Sequence, residues 1–144
     1  MFMRPLRTAA FIAALLLGIG AAKAAEPTGT WLTEKGDARI QVAHCGNALC
    51  GTVVWIKDAV DPATGKPPVD ERNPDPAKQN RKILGMRIFS MAKDANGIWA
   101  GGIYNSDDGK IYAGKLLPVG NNQLQVNGCA GALCGGELWS RVGK

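Results

Sequence analysis

Four cysteines, one histidine and a few acids are the residues of this 144-residue chain best suited to chemistry. The cysteines form two Cys-x4-Cys pairs, Cys45 with Cys50 and Cys129 with Cys134, and His44 stands beside the first. Thiols so spaced have three uses: a zinc site, a redox couple tuned by the neighbouring imidazole, or disulfides. Structural zinc sites mostly use tighter spacing, and redox motifs use Cys-x-x-Cys. An even cysteine count in an exported chain points to disulfides, with three connectivities open. Each pair is flanked by strand-like sequence, and residues facing across a hairpin have Cα separations that suit a bridge. The local bridges, Cys45 to Cys50 and Cys129 to Cys134, are therefore expected, each contributing roughly 2 kcal/mol through so small a loop. No metal site is expected.

The acids offer general acid–base chemistry in principle, from Asp70, Asp75, Asp107, Asp108 or Glu137. Most fall in turn-like sequence, where carboxylates cap backbone N–H groups. Asp107 and Asp108 resemble half a calcium loop, but Gly109 stands where a ligand is needed. There is no Gly-x-Ser-x-Gly elbow and no His-Glu-x-x-His. The expectation is a protein without catalytic residues or cofactor, acting by binding.

Residues 1–24 read as a secretory signal: Arg4 and Arg7, an apolar run from Ala9 to Ala22, then the small-residue cleavage site Ala22-Lys23-Ala24. The run is too short to span a bilayer, no other stretch is apolar enough, and no Cys marks a lipid anchor. Cleavage leaves 14 Lys plus Arg against 12 Asp plus Glu. That balance gives no support to nucleic-acid binding. Residues 25–144 are expected to form one domain, periplasmic or secreted.

Within it, short β-branched and aromatic runs recur between turn signals, without a helical period. Candidate strands cover 29–34, 38–45, 50–57, 83–91, 97–105, 110–119, 123–129 and 136–142. Eight strands suit an all-β, antiparallel, up-and-down barrel. If Cys45 faces Cys50, then Val42 faces Val53, Ile40 faces Trp55 and His44 faces Gly51, with His44 at the barrel rim, held by hydrogen bonds. The turn at Asp107-Asp108-Gly109 pairs Ile103 with Tyr112, Gly101 with Gly114 and Trp99 with Leu116. The facing glycines leave a gap that serves a bent strand or a ligand. From Asp58 to Lys82 runs a loop with five prolines and five acids, too long for a simple connection. Asp75 is placed to cap a helical turn starting at Pro76. Asp70, Asn73 and Asp75 either cap turns in this way or line a site.

The opening Gly29-Thr30-Trp31 and the closing Trp139-Ser140-Arg141 resemble the Gly-x-Trp start and late-strand Arg of lipocalins and fatty-acid-binding proteins, whose Trp and Arg stack to close the barrel. Together with Cys50-Gly51, Asp70-Glu71-Arg72-Asn73-Pro74-Asp75-Pro76, Leu84-Gly85, Trp99-Ala100-Gly101-Gly102-Ile103-Tyr104 and Asp108-Gly109-Lys110-Ile111-Tyr112, they look like the exported bacterial family known as domain of unknown function twenty-one forty-seven. The resemblance implies a lipocalin-like barrel in the bacterial envelope and no established activity. The second cysteine pair is not part of that pattern.

The first functional expectation is a small apolar or amphipathic molecule, such as a lipid, held in the barrel. Inward candidates are Trp31, Val42, Val53, Trp55, Trp99, Ile103, Tyr112, Leu124 and Trp139, with Glu137 and Arg141 on the face of Trp139, placed to pair with each other or orient a ligand. His44 at the rim and the facing Gly101 and Gly114 join them as candidate ligand-binding residues. A filled core explains the aromatic residues equally well. The second expectation is recognition or inhibition of an envelope protein through the 58–82 loop.

Overall fold

Alternation of apolar and polar residues, broken by glycine turns, gives eight strands: β1 (Gly29–Leu32), β2 (Ala38–Cys45), β3 (Ala48–Ile56), β4 (Arg87–Lys93), β5 (Trp99–Asn105), β6 (Lys110–Val119), β7 (Gln123–Ala130) and β8 (Leu133–Gly143). The computed structural model describes residues 25–144 and the isolated Gly18, so the expected signal sequence lies outside the described residues. Each strand pairs antiparallel with the next and β8 returns to β1, closing an all-β, up-and-down barrel. Closure leaves no edge strand to pair with another chain.

Two of the three hairpin registers expected from the sequence are found. Trp99 faces Leu116, Gly101 faces Gly114 and Ile103 faces Tyr112. Cys129 faces Cys134. The β2–β3 hairpin departs from expectation: the chain turns on two residues, Gly46-Asn47, so Cys45 faces Ala48 and Cys50 faces Ala43. Gly46 supplies the positive φ that such a turn requires at its first central position. His44 consequently faces Leu49, Val42 faces Gly51 and Ile40 faces Val53. The disulfide still forms, diagonally across one face of the hairpin. The slip is even, so Ile40, Val42 and Val53 remain inward as expected. Trp55 does not. An irregularity beside Ile40 sets it opposite Arg39, and the two stack on the outside with the guanidinium 4.8 Å from the ring centroid. Trp55 is thus removed from the barrel interior.

The core is a single cluster that includes Trp31, Leu49, Phe89, Met91, Trp99, Leu116, Leu124 and Trp139. Trp31, Leu49, Met91, Leu116 and Leu124 are 0–1% exposed, so no space the size of a water molecule adjoins them. The gap expected between Gly101 and Gly114 belongs to a longer row, Gly101–Gly114–Gly128–Gly135, that crosses four strands. It too is occupied: a Cβ on Gly114 would overlap the Ile103 side chain, and one on Gly128 would sit 3.2 Å from Tyr112 Cβ. The glycines let large neighbours lie across the backbone from inside.

The antiparallel order sorts the connections into two ends. One carries Gly29, Gly143 and the turns at 46–47, 94–98 and 120–122. The other carries the turns at 33–37, 106–109 and 131–132 and the long connection between β3 and β4.

Candidate functional site

Three places gather polar or apolar groups in a way that can bear function. The first is the long connection. Asp70 is 0% exposed there, and its carboxylate accepts from Tyr104 Oη at 2.6 Å, Asn73 Nδ2 at 2.8 Å and Arg81 Nη2 at 2.9 Å. Burial pushes the Asp70 pKa up, and the three hydrogen bonds outweigh it and hold the carboxyl below the usual carboxylate range. Burial and the adjacent carboxylate raise the Tyr104 phenol above its ordinary value. Asn73 Oδ1 accepts from the Asp75 N–H, and Asp75 caps a one-turn 3-10 helix, Pro76–Lys78, by accepting from the Ala77 N–H at 3.0 Å. All of the Asp70 and Asp75 contacts are internal. These acids fasten the loop; they do not line an open site.

The second place is the end of the barrel that carries Gly29. The Arg141 guanidinium lies 4.3 Å from the Trp31 ring centroid and donates to the carbonyls of Thr28, Asn121 and Glu26. Trp31 Nε1 donates to the Pro27 carbonyl. Glu137 accepts from Trp139 Nε1 at 2.8 Å. Glu137 and Arg141 do not pair with each other; each has these separate partners. His44 stands at the rim as expected, but it is exposed and the hydrogen bonds expected for it are not found among the described residues; its ring lies edge-on to Trp99 at 5.8 Å and 3.9 Å from the Glu26 carboxylate. Around it opens a polar hollow of about 910 Å³, edged by Glu26, Asn121, Arg141 and Lys144.

The third place is outside the barrel. Strand alternation turns Ala100 and Gly102 of β5, Ala113 of β6, and Cys129 and Cys134 outward, and small side chains there leave an open hollow of about 960 Å³. Gly101, Gly114, Tyr112, Gly135 and Ile111 also line it, and Lys115 and Asn127 supply polar side chains. The lining is mostly apolar. Lys115 lies 4.0 Å from Asp94, an exposed pairing of little strength that leaves the ammonium available. Tyr112 has its hydroxyl committed to Asp108. Gly101, Tyr112 and Gly114, picked out in the sequence as ligand-binding candidates, therefore meet this outer hollow. Trp31, Trp99 and Trp139 pack as core.

Sequence reasoning missed Tyr104 and Arg81, whose partnership with Asp70 spans 34 and 11 residues and carries no local signal. It also missed the outer wall, although pairing Ile103 with Tyr112 already brings Gly102 opposite Ala113. Among the described residues no three His, Cys, Asp or Glu side chains gather as metal ligands, and all four cysteines are bridged.

The fold and the Trp31–Arg141 closure define a lipocalin-like barrel. Consistent with this, the structure is similar to that of HP1028 from Helicobacter pylori, described as belonging to the lipocalin family, with a TM-score of 0.68 and 19% identity over 82% of this chain and 84% of that one. No curated protein matches the sequence. The model of the DUF2147 family, uncharacterised proteins conserved in bacteria, matches residues 29–141. The chain belongs to that family.

Proposed function

We propose that the protein is a non-catalytic binding protein of the bacterial envelope, and that its ligand is a small amphipathic molecule held against the outer face of β5 to β8. The observation that carries this reading is the apolar hollow of about 960 Å³ with Lys115 at its edge. It falls in the range of small-molecule sites, and a few polar groups on an apolar wall are what orient such ligands. Core packing around Trp31, Leu49 and Leu124 argues against the barrel centre as the site. The two disulfides and the signal-like 1–24 segment support an exported location. Native mass spectrometry with organic extraction, on protein purified from its own periplasm, tests the reading. A stoichiometric acidic or otherwise anionic amphiphile is expected, and it should be lost when Ala113→Trp fills the hollow.

A second reading is recognition of an envelope protein through residues 58–82. The buried Asp70 cluster favours it, because a loop fixed in advance binds with a smaller ordering cost. Val60 stands 56% exposed on it as a contact residue. Protein purified without any bound molecule, but captured with a stoichiometric partner that Asp70→Asn releases, would favour this reading over the first.

A further inference from the structure

The two disulfides look alike in sequence and sit in different surroundings. Around Cys45–Cys50, Leu49 is fully buried, Cys50 is 6% exposed, and β3 continues into pairing with β4 through Leu49 and Met91 and through Cys50 and Ser90. Around Cys129–Cys134 the ten residues Asn127 to Gly136 include no buried side chain. Four are glycine and two alanine, and Leu133 at the tip is 81% exposed. The β7–β8 hairpin beyond Val126 is held by its backbone ladder and by the bridge; the one side-chain hydrogen bond there, Gln125 Nε2 to Asn127 Oδ1, runs along β7 and does not reach β8. Glycine-rich chain gains the most entropy on release, so a hairpin of this composition depends on its cross-link.

We infer that Cys129–Cys134 is a site of reversible thiol–disulfide exchange, and that its reduction unfastens the hairpin forming one wall of the outer hollow. Cys134 is exposed, so a thiolate of a small or protein dithiol can attack its Sγ along the axis of the S–S bond. The S–S bond breaks, Cys129 leaves as thiolate, and a mixed disulfide forms on Cys134. The second thiol of the reductant then attacks its own bridged sulfur, closing the reductant's disulfide and releasing Cys134. Two electrons pass to the protein and the two cysteines take up the protons. Lys115 lines the same wall, on the face shared with Cys129, and its positive charge favours the departing thiolate. Cys45–Cys50, half covered by the barrel, exchanges more slowly.

The test needs no knowledge of the ligand, and its outcome is separate from the binding reading. The oxidised protein is treated with a dithiol for graded times, quenched with iodoacetamide and mapped by mass spectrometry. Cys129 and Cys134 are expected to be alkylated about tenfold faster than Cys45 and Cys50. Equal rates, or the reverse order, overturn the inference. Hydrogen exchange on Cys129→Ser/Cys134→Ser is expected to rise over residues 127–136 while the core strands stay protected. Unchanged protection there also overturns it. If that variant does not fold, exchange on the partly reduced native protein gives the same reading.

Discussion

Tyr104 donates its phenolic hydrogen to Asp70 at 2.6 Å, joining β5 to a residue 34 positions earlier. With Arg81 and Asn73 on the other carboxylate oxygen, this contact makes the proline-rich connection part of the folded barrel. A buried carboxylate is tolerated only when its lone pairs are met, and here they are. Arg81 is the partner with one side in water, at 43% side-chain exposure, so the pair is not sealed from solvent.

Acid should loosen this fastening. The Asp70 pKa is depressed in the folded protein, so its stabilising effect is present above the unfolded value, near 3.9, and is lost as pH falls through the lower folded value. The urea midpoint should drop as pH is lowered below about 4. Asp70→Asn should cost about 2–3 kcal/mol at neutral pH and should show a shallower acid slope than the parent. Asp94 and Asp108, also depressed, are common to both proteins, so the difference in slope reports Asp70. Parallel slopes would show that Asp70 does not carry the effect.

Gly109 marks where the long connection rests on the barrel. Its φ is +70°, and a Cβ there would overlap the carbonyl of Arg72. Gly109→Ala should therefore combine backbone strain with displacement of the loop, at about 2–3 kcal/mol. Gly120→Ala, with a φ of +62° and nothing within 4 Å, meets the strain alone and should cost about 1 kcal/mol. Chemical denaturation of the two variants side by side separates the terms.

How far the sequence discloses this molecule depends on whether the relevant contact is local. Turn glycines and period-two alternation are local, and they place all eight strands within a few residues. The Cys129–Cys134 and Ile103–Tyr112 registers follow by counting back from a turn. The β2–β3 register fails because a diagonal disulfide and a directly opposed one have the same Cys-x4-Cys spacing; only the two-residue turn at Gly46-Asn47 distinguishes them. Alternation in the sequence points Trp55 inward, and a single irregularity beside Ile40 reverses its face. Asp70 shows the limit most clearly. Its type and position suggested a cap or an open site, whereas its partner Tyr104 lies on a strand that no count from position 70 reaches.

Arg141 and Arg39 both stack on tryptophan, but their substitution should differ in effect. Arg141 covers fully buried Trp31 and donates to three carbonyls, a planar fork that lysine cannot reproduce. Arg141→Lys should lower stability by about 2 kcal/mol or more and weaken the near-ultraviolet dichroism of the tryptophans. Arg39→Lys, over exposed Trp55, should stay within about 0.5 kcal/mol. Equal losses would contradict the assignment of Arg141 as the closure of the barrel end.

The outer hollow can be filled without touching the core. Ala113 points outward and is exposed, so Ala113→Trp should leave the unfolding midpoint within about 0.5 kcal/mol of the parent. Binding of an anionic amphiphile, such as a long-chain carboxylate followed by calorimetry, should weaken by tenfold or more, the size of effect expected when about 1.4 kcal/mol of contact is lost. Lys115→Met should weaken the same carboxylate while sparing an uncharged analogue of equal chain length, because it removes the ammonium and retains the apolar stem. Loss of both ligands to the same degree would mean that Lys115 shapes the wall and does not read the charge. Full retention in Ala113→Trp would place the ligand somewhere other than β5 to β8, with the polar hollow around His44 and Lys144 the next surface to block.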